Sequence, residues 1–226
     1  MEKKFAMLCF VFLFLPPVCA QPSAQLAADE DFEKSLMHYF EAKNDDIIKK
    51  TMLVYALHSD DTSAYDNTVI VFYAGIKRGE PERYARFHKT VLAGGNEKLT
   101  EIFTFLQTFD LDAFMNSMDI SAQLNDYLWC LYFATGDDEF LVDLFSIAQL
   151  FFNEQDDINH FLAARSAAWS IKVNSADYPT VKKFFAANGT TLLDAELVKY
   201  ISETDPEKIQ ADAVEYIKQR HEQGVW

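Results

Sequence analysis

One arginine stands on what should be an apolar helix face, where its charge would need a partner. Arg165 lies four residues after Phe161 and four before Trp169, so the three side chains share one side of a helix. An arginine in such surroundings usually pairs with a buried acid, and Asp126 and Asp143 are the candidates. The alternative is an anchor for an anion or a peptide carboxylate, lined by aromatic rings. In that alternative the predicted binding residues are Arg165, Trp129, Tyr132 and Trp169.

The acidic residues and histidines do not follow the pattern of a metal site. Four Asp-Asp doublets occur, at 45–46, 60–61, 137–138 and 156–157, and at least three directly precede an apolar run. An Asp at a helix start accepts hydrogen bonds from the free first-turn N–H groups, so the doublets predict helix N-caps. The histidines are scattered without zinc-site spacing, and no loop has the EF-hand calcium sequence. We therefore predict no metal and no cofactor.

Motifs for nucleophilic catalysis and for phosphate binding are also missing. The sequence lacks Gly-x-Ser-x-Gly and Ser-x-x-Lys, and Gly94-Gly95 predicts the C-terminal cap of a helix. The sequon at residues 188–190 is interpreted as a turn. A hydrolase or lyase that uses two of the many acidic residues remains an alternative, because folding can bring distant carboxylates together.

Residues 1–20 have the pattern of a secretory signal peptide. Lys3 and Lys4 precede an apolar run that is too short to span a bilayer, and Val18 and Ala20 place small residues at the cleavage positions. Acylation of Cys19, as in a lipoprotein, is disfavoured because Val18 is a poor residue before a lipidated cysteine. The pattern predicts an exported bacterial protein, periplasmic or secreted.

The composition argues against two classes of partner. The chain has 35 Asp and Glu against 20 Lys and Arg, for a net charge of −15. Such a surface repels the phosphates of nucleic acids and anionic lipid heads. No stretch after the signal peptide is long and apolar enough to cross a membrane. We therefore expect a protein or peptide partner, no nucleic acid and no membrane span.

Few residues interrupt the chain, which favours long helices. It contains only seven Gly and six Pro, and half of its residues are hydrophobic. Segments 68–76 and 127–134 are strongly apolar, and the first is rich enough in β-branched residues to be a buried strand. We predict helices for both, because few other segments could pair with such strands. We predict a flexible lead-in at 21–28, helix from Asp29 onward, and a loop at 174–179.

Two stretches of the chain look alike. Asp66 and Asp126 are each followed, after five residues, by two aromatic residues and an alanine, and then by a glycine turn and an amphipathic helix. The repeat indicates helical hairpins, each burying its face on the next. It resembles the tetratricopeptide-like α-solenoids, although that family's full repeat pattern is absent. Segments 128–137 and 167–170 are similar to uncharacterised exported bacterial helical proteins, a resemblance that implies no chemistry.

Together these patterns predict an all-α protein with a single domain at residues 29–226. Its architecture is an array of about ten antiparallel helices, as a tetratricopeptide-like superhelix or a compact bundle. The leading function is a non-enzymatic scaffold that binds a protein or peptide on a helical face. The alternatives are a periplasmic hydrolase or lyase acting through acidic residues, and a structural or oligomeric component of the cell envelope.

Overall fold

The computed structural model of the protein describes residues 23–59, 61–153 and 157–225. In these ranges the chain forms 13 α-helices and one 3₁₀ turn, without any strand. The predicted all-α class is confirmed. None of the described helices is long and apolar enough to cross a bilayer. The predicted signal peptide at 1–20, with the acylation alternative at Cys19, lies outside the described residues.

Two compact units make up the described chain. The first unit contains residues 23–118 and Trp129–Asp137, and the second contains Asp119–Leu128 and residues 138–225. Helix α8, Ala122–Thr135, contributes its first half to the second unit and its second half to the first unit. Each unit is described by itself below.

The first unit consists of seven helices and the second half of α8. The seven are α1 (Ser23–Met37), α2 (Tyr39–Ala42), α3 (Ile47–Leu57), α4 (Ser63–Gly79), α5 (Pro81–Gly94), α6 (Glu97–Thr108) and α7 (Leu111–Asn116). Helix α1 packs on α3, and α4 packs on α5, α6 and α7. The ring of Tyr73 on α4 is fully buried, with its centroid 4.8 Å from that of Phe103 and 5.9 Å from that of Phe87.

The second unit is assembled around one long helix. Its elements are α9 (Glu139–Ala148), the 3₁₀ turn (Gln149–Phe152), α10 (Ile158–Asp177), α11 (Pro179–Leu192), α12 (Ala195–Glu203) and α13 (Pro206–Glu222). Helix α10 contacts all of the others. Its buried residues include Ala163, Ala164, Ala167 and Ala168, whose small side chains allow neighbouring helices to approach closely.

Both apolar segments that could have been strands are helical. Residues 68–76 lie in α4 and residues 127–134 lie in α8, as predicted. Val69, Val71 and Ile76 are buried, and burial outweighs the small helix penalty of β-branched residues. Gly75 allows α4 to pack closely here, since a Cβ at this position would lie 3.1 Å from the Cβ of Ala134.

Three predicted boundaries are wrong. Helix α1 begins at Ser23 rather than at Asp29, so part of the predicted lead-in is helical. Residues 174–177 belong to α10 instead of a loop, and the sequon at 188–190 lies inside α11 rather than in a turn. Asn174 and Gly189 are both buried, so these two segments pack against other parts of the fold and are not surface loops. Packing against other helices extends α10 and α11 past residues that would end an isolated helix.

The prediction that the Asp doublets form N-caps holds at one helix start and fails at others. Asp157 is the N-cap of α10, and its side chain accepts a hydrogen bond from the backbone N–H of Asn159 (2.7 Å). Asp61 accepts one from the backbone N–H of Ser63 (3.0 Å), but the N-cap of α4 is the next residue, Thr62. Asp46 and Asp138 occupy the N-cap positions of α3 and α9 without such a bond. Their backbones are already helical, whereas the backbone of Asp157 is extended, as a capping side chain requires.

Candidate functional site

Arg165 lies in the middle of α10, and its side chain is half-buried among aromatic rings of the second unit. The guanidinium carbon is 3.5 Å from the centre of the Phe151 ring, 5.1 Å from that of Phe161 and 5.9 Å from that of Tyr216. Phe161 is one turn earlier on the same helix, as its spacing predicts. The ring faces attract the cation, which partly replaces the water that Arg165 has lost.

The acid partner predicted for Arg165 is absent. Neither Asp126 nor Asp143 forms an ion pair with it, and neither does any other carboxylate in the described ranges. Its Nε is buried and has no hydrogen-bond acceptor there. Asp126 is exposed on α8, although loss of water around its carboxyl raises its pKa to about 7. Burial lowers the pKa of Arg165, but a guanidinium remains protonated.

The 3₁₀ turn after α9 places one buried and one exposed phenylalanine ring near Arg165. Phe151 points inward and is 2% exposed, while the next residue, Phe152, is 46% exposed. Gln149 fixes this turn to the start of α12: its Nε2 donates to Oδ2 of Asp194 (2.6 Å), and its Oε1 accepts from the backbone N–H of Asp194 (2.8 Å). This clamp positions Tyr200 of α12, whose ring centroid is 4.9 Å from that of Phe151.

Helix α13 provides charged groups beside the rings. Lys208, Asp212 and Tyr216 are spaced four residues apart and therefore share one face of the helix. Lys208 Nζ donates to both carboxylate oxygens of Asp212 (2.9 and 3.0 Å), and Tyr200 Oη donates to Oδ2 (2.9 Å). The hydrogen bond from Lys208 lowers the pKa of Asp212. Burial, helped by Asp212, raises the pKa of Tyr200 to about 12.

We call this group of side chains the Arg165 cluster. It consists of Arg165, the rings of Phe151, Phe152, Phe161, Tyr200 and Tyr216, and the ion pair of Lys208 with Asp212. Lys208 and Asp212 bond to each other, and Asp212 also accepts from Tyr200, whereas Arg165 has no carboxylate partner in the described chain. The cluster can therefore bind an anion beside an aromatic surface.

The other predicted binding residues are all buried. Trp169, one turn after Arg165 on α10, is 6% exposed. Trp129 and Tyr132 are 1% and 2% exposed and belong to the first unit. Trp129 stacks on Phe133, with ring centroids 5.6 Å apart. These three side chains offer a ligand little surface, and their predicted role stays a prediction.

Several members of the cluster could not be found by spacing alone. Phe151, Tyr200 and Tyr216 come from three other elements, and the nearest of them is 14 residues away from Arg165 in the chain. Helical periodicity relates residues of one helix, so it identified Phe161 and no more. The one available signal was the regular spacing of Lys208, Asp212 and Tyr216 on α13.

The first unit holds a buried polar cluster of a different kind. Nε2 of His58 lies 2.8 Å from Oδ1 of Asp29 and 3.5 Å from Oη of Tyr65. Burial raises the pKa of Glu33 nearby, and the charges of Asp29 and Glu30 add to the rise. The pair joins α1 to the end of α3, so we interpret it as a structural cross-link. The hydrolase alternative stays untested.

The first unit also exposes aromatic surface. Phe105 is 48% exposed, its ring centroid is 5.1 Å from that of Phe109, and Phe109 in turn is 5.3 Å from Phe114. Nζ of Lys77 lies 3.3 Å from the backbone carbonyl oxygen of Phe109, and it also donates to the carbonyls of Leu106 and Gln107. The Arg165 cluster is the more informative of the two surfaces, because its arginine has no carboxylate partner among the described residues.

Neither metal-site geometry nor similarity to other proteins adds a function. Among the described residues, no three His, Cys, Asp or Glu side chains are grouped as they would be around a metal ion. No protein-family model matches the chain, and no curated protein or solved structure is significantly similar to it.

Proposed function

We propose that the protein is an exported, non-enzymatic helical scaffold that binds a polypeptide partner at the Arg165 cluster. The observation that carries the proposal is the guanidinium of Arg165, half-buried against aromatic rings with no carboxylate paired to it in the described chain. A buried charge without a partner is destabilising, so such an arrangement is retained where a ligand completes it.

The surroundings of Arg165 support a polypeptide as that ligand. Phe152 exposes an apolar ring beside the charged group, and arginine together with aromatic residues is enriched at the centres of protein interfaces. Nucleic acid is a poor candidate, because the net charge of −15 repels phosphate backbones. The hydrolase and cell-envelope alternatives lack a comparable observation.

A peptide-array screen with the purified protein tests the proposal. Peptides that bind would be synthesised singly, and their affinities measured by fluorescence anisotropy for the native protein and for Arg165→Met. Removing one partner of a desolvated charge pair should weaken binding at least about tenfold. Methionine keeps the unbranched apolar part of the side chain and removes the guanidinium that lies on the Phe151 ring, so the loss reports on the guanidinium.

Arg86→Met is the matched control. Arg86 is exposed on α5 of the first unit, where its Nη2 lies 3.4 Å from Oδ2 of Asp45. Its replacement removes the same charge without touching the Arg165 cluster, and we expect unchanged affinity. The proposal is wrong if no peptide binds, or if Arg165→Met and Arg86→Met bind the selected peptides equally well.

A further inference from the structure

The geometry of Arg165 restricts the shape of the group that it can bind. One face of its guanidinium lies on the Phe151 ring at 3.5 Å, which leaves the N–H groups at the edge of the plane as donors. Nε has no acceptor within the described chain. A planar guanidinium donates two parallel hydrogen bonds most readily to a planar carboxylate or to two oxygens of a phosphate.

The carboxylate and the phosphate differ in charge, and the charge of the site favours one of them. The charged groups of the Arg165 cluster are Arg165, Lys208 and Asp212, so two cations and one carboxylate leave a single net positive charge. A carboxylate would neutralise that charge. A phosphoserine carries about −1.5 to −2 at neutral pH and would leave excess negative charge in an already acidic protein.

Asp212 is the one negatively charged group of the Arg165 cluster, so it sets the cluster's net charge. It lies close enough to Arg165 for the two charges to interact, although they form no ion pair. Its carboxylate accepts hydrogen bonds from Lys208 and Tyr200, which hold it in place next to the Tyr200 ring. An anion that reaches Arg165 therefore meets a fixed negative charge as well as two cations, and the repulsion from Asp212 alone is about twice as strong for a doubly charged anion as for a singly charged one.

The exposed ring of Phe152 adds a second requirement. It packs edge-on against Tyr200, with centroids 6.2 Å apart, and against Phe151, with centroids 5.0 Å apart. Its exposed face can bury an apolar side chain of a ligand whose charged group reaches Arg165.

Building on the proposed function, we propose that the Arg165 cluster selects a singly charged peptide carboxylate carried next to an apolar side chain, and that Asp212 weakens the binding of phosphate relative to that of carboxylate. The carboxylate comes either from the C-terminus of the partner or from a Glu or Asp side chain. Both sources offer the same two oxygens to Arg165.

Four matched peptides test the selection. All share one apolar sequence of Ala, Leu and Phe with a fluorophore at the N-terminus. The first has a free C-terminus, the second an amidated C-terminus and no acid, the third an amidated C-terminus and one Glu, and the fourth phosphoserine in place of that Glu. We expect the better of the two carboxylate peptides to bind at least about tenfold more tightly than the second and fourth peptides.

The two carboxylate peptides distinguish the sources. Tighter binding of the first peptide identifies a C-terminal carboxylate, and tighter binding of the third identifies an acidic side chain. The inference is overturned if the phosphopeptide or the uncharged peptide binds as tightly as the better of the two carboxylate peptides. If the array screen finds ligands that depend on Arg165 but these four peptides are not discriminated, this inference fails while the proposed function stands. If neither experiment detects binding, both fail.

Asp212→Asn provides an independent test of the charge balance. The substitution raises the local net charge by one, so the phosphopeptide should gain several-fold in affinity relative to the better carboxylate peptide. Glu222→Gln, at the last residue of α13, removes one negative charge outside the Arg165 cluster and should leave the ratio unchanged. If Asp212→Asn leaves the ratio of the two affinities unchanged, Asp212 does not contribute to the discrimination between phosphate and carboxylate.

Phe152→Ala tests the apolar requirement. The variant should bind the better carboxylate peptide several-fold more weakly than the native protein does. A version of that peptide with Ser in place of Leu and Phe should bind both proteins equally weakly. Equal affinity of the native protein for the apolar and the Ser-substituted peptides would contradict a role for Phe152.

Discussion

Arg83 in the first unit and Arg165 in the second unit are both partly buried, but their surroundings differ. In the first unit, Arg83 has Asp45 at 2.9 Å from its Nε and Glu80 at 2.6 Å from its Nη1. In the second unit, Arg165 rests on aromatic rings and has no carboxylate partner among the described residues. Ion pairs stabilise the charge of Arg83, whereas contacts with ring faces stabilise the charge of Arg165. The proposed function rests on this contrast.

Other polar groups of the first unit follow the same rule as Arg83. Nζ of Lys77 donates to three backbone carbonyls at the end of α6, those of Leu106 (2.6 Å), Gln107 (2.9 Å) and Phe109 (3.3 Å). These carbonyls would otherwise lack partners at a helix C-terminus, where a cation is also favoured by the helix dipole. His58 and Asp29 are paired as well. Stability in this unit should accordingly depend on its paired charges.

The largest loss should follow from breaking the buried pair of His58 and Asp29. Asp29→Ala leaves the imidazole without its acceptor, and we expect the free energy of unfolding to fall by about 3 kcal/mol. Asp31→Ala is the control, since Asp31 is an exposed residue of the same helix that binds Lys50 at the surface. Urea denaturation followed by circular dichroism measures both. Equal losses in the two variants would show that the buried pair is not a structural cross-link.

A smaller loss should follow at Lys77. Lys77→Met keeps the aliphatic stem but leaves the carbonyls of residues 106, 107 and 109 without their donor, at a cost of about 1–2 kcal/mol. Hydrogen exchange should show faster opening at the end of α6 than in the native protein. Unchanged exchange there would mean that water replaces Lys77 without penalty.

The direct test of the contrast compares two substitutions of the same type. Arg83→Met removes two ion pairs and should lower the free energy of unfolding by about 1 kcal/mol. Arg165→Met removes none and relieves the burial of a charge, so we expect a change within about 0.5 kcal/mol of zero. Both are measured by urea denaturation. A loss at Arg165 as large as that at Arg83 would mean that Arg165 has a structural role.

The smallest difference concerns the Asp doublets at two helix starts. Asp157→Ala, in the second unit, removes a capping bond and should cost about 1 kcal/mol or less. Asp46→Ala, in the first unit, removes no capping bond and only a surface contact with Lys49, so thermal unfolding should be unchanged. A loss at Asp46 equal to that at Asp157 would show that charge at the helix start, rather than the hydrogen bond, is what matters.

Predictions from local sequence patterns were confirmed where the feature depends on a single helix, such as a helix end or the spacing of side chains along one face. Pro81 lies in the first turn of α5, and Gly95 ends that helix with a positive φ of 72°, as their residue types predict. The spacing of Arg165 from Phe161 also held. Local patterns failed at residues 174–177 and 188–190, where packing by neighbouring helices decided whether the helix continued.

The sequence by itself determined the all-α class, because scarce Gly and Pro and a strong apolar periodicity favour long helices, and few other segments could pair with the two apolar segments as strands. It also singled out Arg165 as a charge on an apolar face. Tertiary structure alone decided what surrounds that charge. Phe151, Tyr200 and Tyr216 meet Arg165 only when the 3₁₀ turn, α12 and α13 pack on α10. Helical periodicity records the neighbours within one helix, whereas contacts between helices depend on how whole faces fit together.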